Sequence, residues 1–443
     1  MYKYYKVLVL LFALNGPTVY AQTFDTTGLD ALLDSLNQKD KAMVSIAISK
    51  NGKLLYKRAI GQAVLSETGN VPANSGTRYR IGSITKTFTA TIIFQLIDEK
   101  KLSLATTLDH YYPQVKNART ITIGNLLNHR SGIHNFTNDA AYWQYMTFPK
   151  TQAEMLEIIA ATKPDFEPNA RTEYSNANYV LLGYIIEKIT KQSYAQNLAS
   201  RITEPLNLKA TQFGGKTDIR KQESYSYKRD KKWVKQPETD LSIPAGAGAM
   251  LSTPSDLTLF MTALLQGKLT SAESLVHMKT MVDDVGMGLF RVPFYNKFGF
   301  GHGGNLDGFA SLAYYLPEGE YAVAICSNGI AYPLNDLLIA VLSTCYNMPV
   351  AMPSFKTISI SPQELDKFTG LYSSKHIPLK ITVTRKDSTL IAQATGQAPF
   401  ELTPTEKFIF IFDAAGITIE FDPEGGQFIL KQGMGNYLYT KEK

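Results

Sequence analysis

Ser83 and Lys86 stand three residues apart in the run Gly82-Ser83-Ile84-Thr85-Lys86-Thr87-Phe88. Ile84, Phe88, Ile92 and Leu96 recur at helical spacing, so the run predicts a helix that opens near Ser83. Residues at i and i+3 share a helix face, which brings the Lys86 amine toward the Ser83 hydroxyl. A serine hydroxyl is a weak nucleophile until a neighbouring base takes its proton. The positive end of the helix dipole favours the anion that develops during attack. Ser-x-x-Lys therefore points to covalent acyl transfer on Ser83. Taken alone, the same spacing also suits a capping serine and a surface lysine.

Two later segments carry compatible chemistry. Tyr174-Ser175-Asn176 follows the Pro168-Asn169 turn and precedes an apolar run of Tyr179, Leu181, Leu182, Ile185 and Ile186. It therefore sits at a loop-to-helix junction. A free phenol titrates near ~10 and is a poor base unless a cation stabilises its phenolate, and Lys86 can be that cation. The Asn176 amide can hold a substrate amide and steady Lys86. By itself this segment suits a core tyrosine with a capping Asn equally well. His302-Gly303-Gly304-Asn305 lies in a strand-like stretch that continues through Phe309–Leu316 and Tyr321–Cys326. Gly303 and Gly304 would let a substrate lie along the strand. The N–H of Asn305 can pair with that of Ser83 to bind an oxyanion, each donor being worth roughly 100- to 1,000-fold in rate. Alone, the segment is a Gly-rich hairpin with a histidine.

In this order the three segments resemble the serine β-lactamase and penicillin-binding-protein family. The closest branch is that of class C-like β-lactamases, D-alanyl-D-alanine carboxypeptidases, D-aminopeptidases and related esterases. Ser83 and Lys86 match its first motif, Tyr174 and Asn176 its Tyr-x-Asn motif, and His302 and Gly304 its third, usually Lys-Thr-Gly or His-x-Gly. Ile123–Ile133, with Leu126-Leu127-Asn128-His129-Arg130-Ser131-Gly132, and the Gly-rich run Ala245–Leu257 also look like family segments. The resemblance covers roughly residues 30 to 347. It implies Ser83 as nucleophile, Lys86 and Tyr174 sharing acid and base work, and Asn176 orienting the substrate. It also implies an oxyanion site at the N–H groups of Ser83 and Asn305, with His302 flanking the scissile bond. The substrates implied are small peptides, amides or esters containing D-amino acids, with cell-wall material a possible partner. One departure matters: His302-Gly303-Gly304 has neither the lysine nor the hydroxyl that grip a substrate carboxylate. This is more like the D-aminopeptidase and esterase members. Arg291 lies nearby as a candidate cation, although a solvated strand arginine is its plainer reading.

The elements that must position these residues are legible in part. A helix is expected over residues 25–36, and strands over 43–49 and 53–60 joined at Asn51-Gly52. The middle, about residues 84–265, is mainly helical, with one start marked by Thr253, Pro254 and Asp256. Strands follow Gly286, and a helix spans about residues 333–346. Strands at both ends with helices between suit an α+β fold: an antiparallel sheet flanked by helices, with an all-helical insert. The resemblance implies a β-lactamase/transpeptidase-like form of it. After a Pro-containing linker (348–362), residues 363–443 read as a small all-β barrel or sandwich. We expect it to cover the cleft mouth, with binding of wall material or stabilisation of the enzyme as the alternatives.

The 443 residues carry a formal charge of +6, with no basic cluster beyond Lys228-Arg229-Asp230-Lys231-Lys232, expected as an exposed loop. That does not indicate a nucleic-acid partner. Lys3 and Lys6, the apolar run Val7–Leu14 and Val19-Tyr20-Ala21 read as a signal peptide over residues 1–21, with a catalytic domain over 22–347 and a periplasmic or extracellular destination. The apolar run is too short to span a bilayer, which takes ~20 residues. Cys326 and Cys345 are most simply buried thiols, though a bridge between them is possible. No motif indicates a metal or nucleotide cofactor.

Overall fold

The structure, a computed structural model, describes residues 24–375, 377–412, 416–432 and 435–442. The leader expected at residues 1–21 lies outside them. Helix α1 (Thr27–Gln38) leads into strand β1 (Ala42–Lys50), which turns into β2 (Lys53–Ile60). Asn51 and Gly52 have φ of 49° and 76°, the left-handed geometry that lets a two-residue turn match strand twist. The long middle region contributes α2 (Thr85–Asp98), α3 (Asn176–Thr190) and α4 (Pro254–Leu265). Strands β3 (Phe290–Phe294), β4 (Lys297–Leu306), β5 (Phe309–Leu316) and β6 (Tyr321–Ile330) follow, and then α5 (Leu334–Cys345). The strands form one sheet in the order β3-β4-β5-β6-β1-β2, antiparallel throughout. Its first-half and second-half strands meet where β1 pairs with β6.

Both faces of the sheet are covered. Helices α1 and α5 pack against Val44, Ile46, Val323 and Ile325. Helices α2, α3 and α4 share a core with Ala313, Ala322, Ala324 and Cys326. Successive side chains of a strand face opposite sides, so a central strand covered twice must be apolar throughout. Eight of the nine residues of β1 are buried accordingly. Cys326 and Cys345 are free and buried, one in each layer, with the sheet between them. At the start of α4, Thr253 caps the helix through Asp256 N–H, with Pro254 first in the helix. One expectation is corrected: the basic run at 228–232 is not a loop but part of a hairpin, Tyr227–Arg229 paired with Trp233–Lys235. The Trp233 indole N–H donates to Asp40, and Arg229 pairs with the same carboxylate, which ties the hairpin down.

Residues 348–361 carry no regular element. Beyond them, eight strands from Gly370–Ser373 to Gly435–Lys441 close into a barrel, the last pairing with the first. Tyr372, Leu390, Phe410, Phe421 and Phe428 fill its core. Closure leaves no unpaired edge, as a sandwich would. Two of its strands escaped the sequence reading. Gly370–Ser373 has only four residues, and Phe400–Glu406 contains Pro404 at an irregular step in its pairing. The barrel touches Pro333, at the start of α5, through Gly416, where a Cβ would come within 2.9 Å of the proline. It therefore rests on the α1–α5 side of the sheet, not at the cleft mouth.

Candidate active site

Gly82–Ile84 forms a single 3-10 turn that runs into α2, leaving Ser83 half-buried at the N-terminus of the helix. Gly82 has a φ of 51°, and a Cβ there would lie 2.9 Å from both N and O of Asn305. A Cβ on Gly304 would lie 2.0 Å from Ile81 O and 2.8 Å from Ser83 N. These glycines let β4 press against the nucleophile turn. Leu306 and Phe309 close the two-residue turn between β4 and β5, so the next pair, Asn305 and Ala310, exchanges no ladder bonds. The Asn305 N–H therefore points away from β5, toward Gly82. It and the Ser83 N–H belong to the same backbone contact.

Lys86 is wholly buried. Its Nζ lies 3.0 Å from Ser83 Oγ, 2.7 Å from Asn176 Oδ1 and 2.8 Å from Ala247 O. Burial holds its pKa well below that of an ordinary lysine. A neutral amine has two N–H groups and one lone pair. Asn176 Oδ1 and Ala247 O can only accept, so in its unprotonated form the amine gives them its two N–H groups and has its lone pair left for the Ser83 hydroxyl. From the other side, Tyr174 O–H donates to Ser83 Oγ at 2.7 Å. Burial raises the phenol's pKa, so Tyr174 is a donor and not a phenolate. The sequence reading made Lys86 the cation that stabilises a tyrosinate. Burial disfavours both charges, lowering the lysine pKa and raising that of the phenol.

Tyr174 and Asn176 are held by the start of α3 and by a segment that sequence reasoning left without a role. His129 packs its ring 4.4 Å, centre to centre, from that of Tyr174. Its Nδ1 accepts from Ser175 N–H at 3.2 Å. Asn135 Oδ1 accepts from Asn176 N–H at 3.0 Å, and Asn176 Nδ2 donates to Thr137 Oγ1 at 3.1 Å. The signal was present in the run Leu126–Gly132, read there only as part of the resemblance. His302 is 4 % exposed and stands edge-on to Phe290. Its Nδ1–H donates to Gly303 O, and burial, aided by the neighbouring Lys86, pushes its pKa down to about 3. The ring centre lies 6.3 Å from that of Tyr174.

A cavity of about 450 Å³ opens onto Ser83 and Asn176. Phe136, Tyr142, Trp143, Met146 and Ile243 form an apolar wall; Lys228, Gln236, Thr239, Asn305 and Asp307 form a polar one. His302, Gly303, Gly304, Arg291 and the described residues of the barrel are not among the residues of either wall. Arg291 is exposed, its guanidinium 4.4 Å above the Phe298 ring.

A family model described as Beta-lactamase matches residues 29–337. A teichoic acid D-alanine hydrolase of Staphylococcus aureus is 27% identical over 292 residues, which span 64% of this chain and 70% of that protein. Among solved structures, a D-stereospecific amidohydrolase from Streptomyces sp. is 29% identical, covering 68% of this chain and 94% of its own, with a TM-score of 0.58. The D-amino acid amidase from Ochrobactrum anthropi SV3, solved with D-phenylalanine, is 25% identical, covering 73% and 99%, with a TM-score of 0.64. The octameric penicillin-binding protein homologue from Pyrococcus abyssi, 23% identical, covers 93% of this chain and 99% of its own at a TM-score of 0.64, a likeness of fold that reaches into the barrel.

Proposed function

The chain belongs to the beta-lactamase family, as a serine hydrolase, and on that premise we propose that it cleaves amides or esters of D-amino acids through an acyl-enzyme on Ser83. The carrying observation is Ser83 Oγ set between the Lys86 amine and the Tyr174 phenol. The Lys86 lone pair takes the Ser83 proton as Oγ bonds to the substrate carbonyl carbon. The N–H groups of Ser83 and Asn305 bind the resulting oxyanion. As the carbonyl re-forms, the bond to the leaving amine or alkoxide breaks, and that group takes the Tyr174 proton. The Lys86 ammonium restores the phenol. Water then repeats the attack on the Ser83 ester, losing its proton to Lys86, and the Lys86 ammonium returns that proton to Ser83 Oγ as the ester bond breaks. Asn176 holds Lys86 and faces the cavity, where it can orient the substrate; His302 stands beside Tyr174, where it can flank the scissile bond. The preference for D-amino acids is supported by the relatives' names, and the apolar wall offers room for an acyl side chain. Peptidoglycan-type peptides belong to this substrate class. Export through a leader cleaved after Ala21 completes the proposal.

A broad carboxylesterase is the second reading, favoured by the absence of a cation at His302-Gly303-Gly304; a weak β-lactamase or D-alanyl-D-alanine carboxypeptidase needs that cation more. A wall-binding module without catalysis is the reading from another class. Intact-mass measurement of residues 22–443 after exposure to a penicillin and to a fluorophosphonate, beside Ser83→Ala, tests the nucleophile. The expected result is a fluorophosphonate adduct on the wild type alone. Turnover of D-phenylalanine amide should exceed that of the L-enantiomer at least ~10-fold, a difference of about 1.4 kcal/mol in transition-state binding. Equal turnover of both enantiomers would favour the esterase, and full activity in Ser83→Ala would overturn the acyl-enzyme.

A further inference from the structure

Lys228 is the only cation among the described residues that line the Ser83 cavity. It is exposed and takes part in no ion pair of the described residues. Its hairpin, residues 227–235, carries Lys228, Arg229, Lys231, Lys232 and Lys235 against the single carboxylate of Asp230. Two of these cations are engaged elsewhere. Arg229 pairs with Asp40, and Lys235 Nζ lies 3.0 Å above the Tyr225 ring centre. Opposite Lys228 in the hairpin stands Val234, which neutralises nothing. The one carboxylate lining the cavity, Asp307, is already satisfied: it accepts from Thr239 Oγ1 at 2.6 Å and lies 3.5 Å from the buried Arg80 guanidinium. The hairpin is also clamped to the oxyanion strand. Gly308 N–H, in the turn after β4, donates to Ser226 Oγ at 3.1 Å, and a Cβ on Gly308 would lie 2.7 Å from Tyr227 O.

We propose that Lys228 binds an anionic group of the substrate, a carboxylate or a phosphate, and so makes the enzyme prefer D-aminoacyl substrates that carry one. The proposal rests on the Ser83 acyl-hydrolase reading. The hairpin supplies to the cavity the cation that His302-Gly303 on β4 lacks. An ammonium is a compact charge with three donors and serves either anion. The test compares kcat/KM for D-phenylalanine amide, D-phenylalanylglycine and the D-phenylalanyl amide of 2-aminoethyl phosphate. The ratio of anionic to neutral probe should exceed one, fall about tenfold in Lys228→Met, fall further in Lys228→Glu, and shrink with added salt. Whichever anionic probe responds identifies carboxylate or phosphate as the source. Titration calorimetry of inorganic phosphate and of N-acetyl-D-alanine into wild type and Lys228→Met reads the same site without turnover. Ratios that do not move in either variant, an equal loss on all three probes, or no binding of either anion to the wild type would each overturn the proposal. Turnover surviving in Ser83→Ala would instead overturn the acyl-enzyme reading, whatever the ratios show.

Discussion

Water removed from around an amine disfavours its charged form, and this decides how Lys86 and Tyr174 divide the work. Burial favours the unprotonated amine, the form in which Lys86 acts as a base. We expect kcat/KM to rise with pH as the lowered Lys86 pKa is crossed and to fall where Tyr174 ionises, above the ordinary phenol value. His302, with a pKa near 3, leaves no inflection of its own between pH 5 and 9. A pH–rate profile with a midpoint at the ordinary lysine value of ~10.4 would contradict this. The same burial has a consequence for stability. The unfolded chain binds a proton at residue 86 that the native chain does not, so wild-type stability rises with pH between the lowered native value and ~10.4. Urea midpoints should therefore climb for wild type relative to Lys86→Met between pH 7 and pH 10, and an unchanged gap would mean a charged Lys86. Ser83 and Lys86 were legible in sequence because i and i+3 on a helix must meet. The lowered pKa of Lys86 was not, because it comes from burial by parts of the chain as distant as Asn176 and Ala247, 90 and 161 residues from Lys86.

At the scale of elements, the oxyanion site is the contact between the Gly82–Ile84 turn and β4. Gly304 is the tightest point, with 2.0 Å between a Cβ and Ile81 O. Backbone on both sides must move to admit even a methyl group. We expect Gly304→Ala to lower kcat about 100- to 1,000-fold, the worth of one misplaced oxyanion donor, and to lower the melting temperature as well. Gly303→Ala is the control, because its Cβ would first meet the Leu312 side chain at 3.2 Å. Equal effects of the two substitutions would remove Gly304 from the site's architecture. The pairing of Gly304 with the nucleophile turn was hidden in sequence, where a glycine in a strand shows only that something approaches. The helix starts at Thr253 and before Asn176 were visible because capping is local chemistry.

Over the whole molecule, the barrel has its own core, packs on the α1–α5 side at Pro333, and none of its described residues lines the Ser83 cavity. The segment before it is different: Val350 and Phe355 pack against the α1–α5 core. A chain ending after residue 356 should therefore keep its fold and its rate of Ser83 acylation within about threefold, a change under 1 kcal/mol. A folded truncation that no longer acylates would show that the barrel serves the site. Among the described residues no helix is long and apolar enough to cross a membrane.

The sequence by itself determined the local chemistry and the class of fold. Ser83 with Lys86, Tyr174 with Asn176, the Asn51-Gly52 hairpin and the Thr253 helix start all follow from neighbours within a few residues, and strands at both chain ends called for one sheet. Tertiary structure decided what depends on long-range approach. It buried Lys86 and His302 and so lowered their pKa values. It formed the hairpin that carries Lys228 and closed the barrel away from the cleft. Burial, strand register and the meeting of backbones are properties of the folded chain, and no short stretch of residues encodes them.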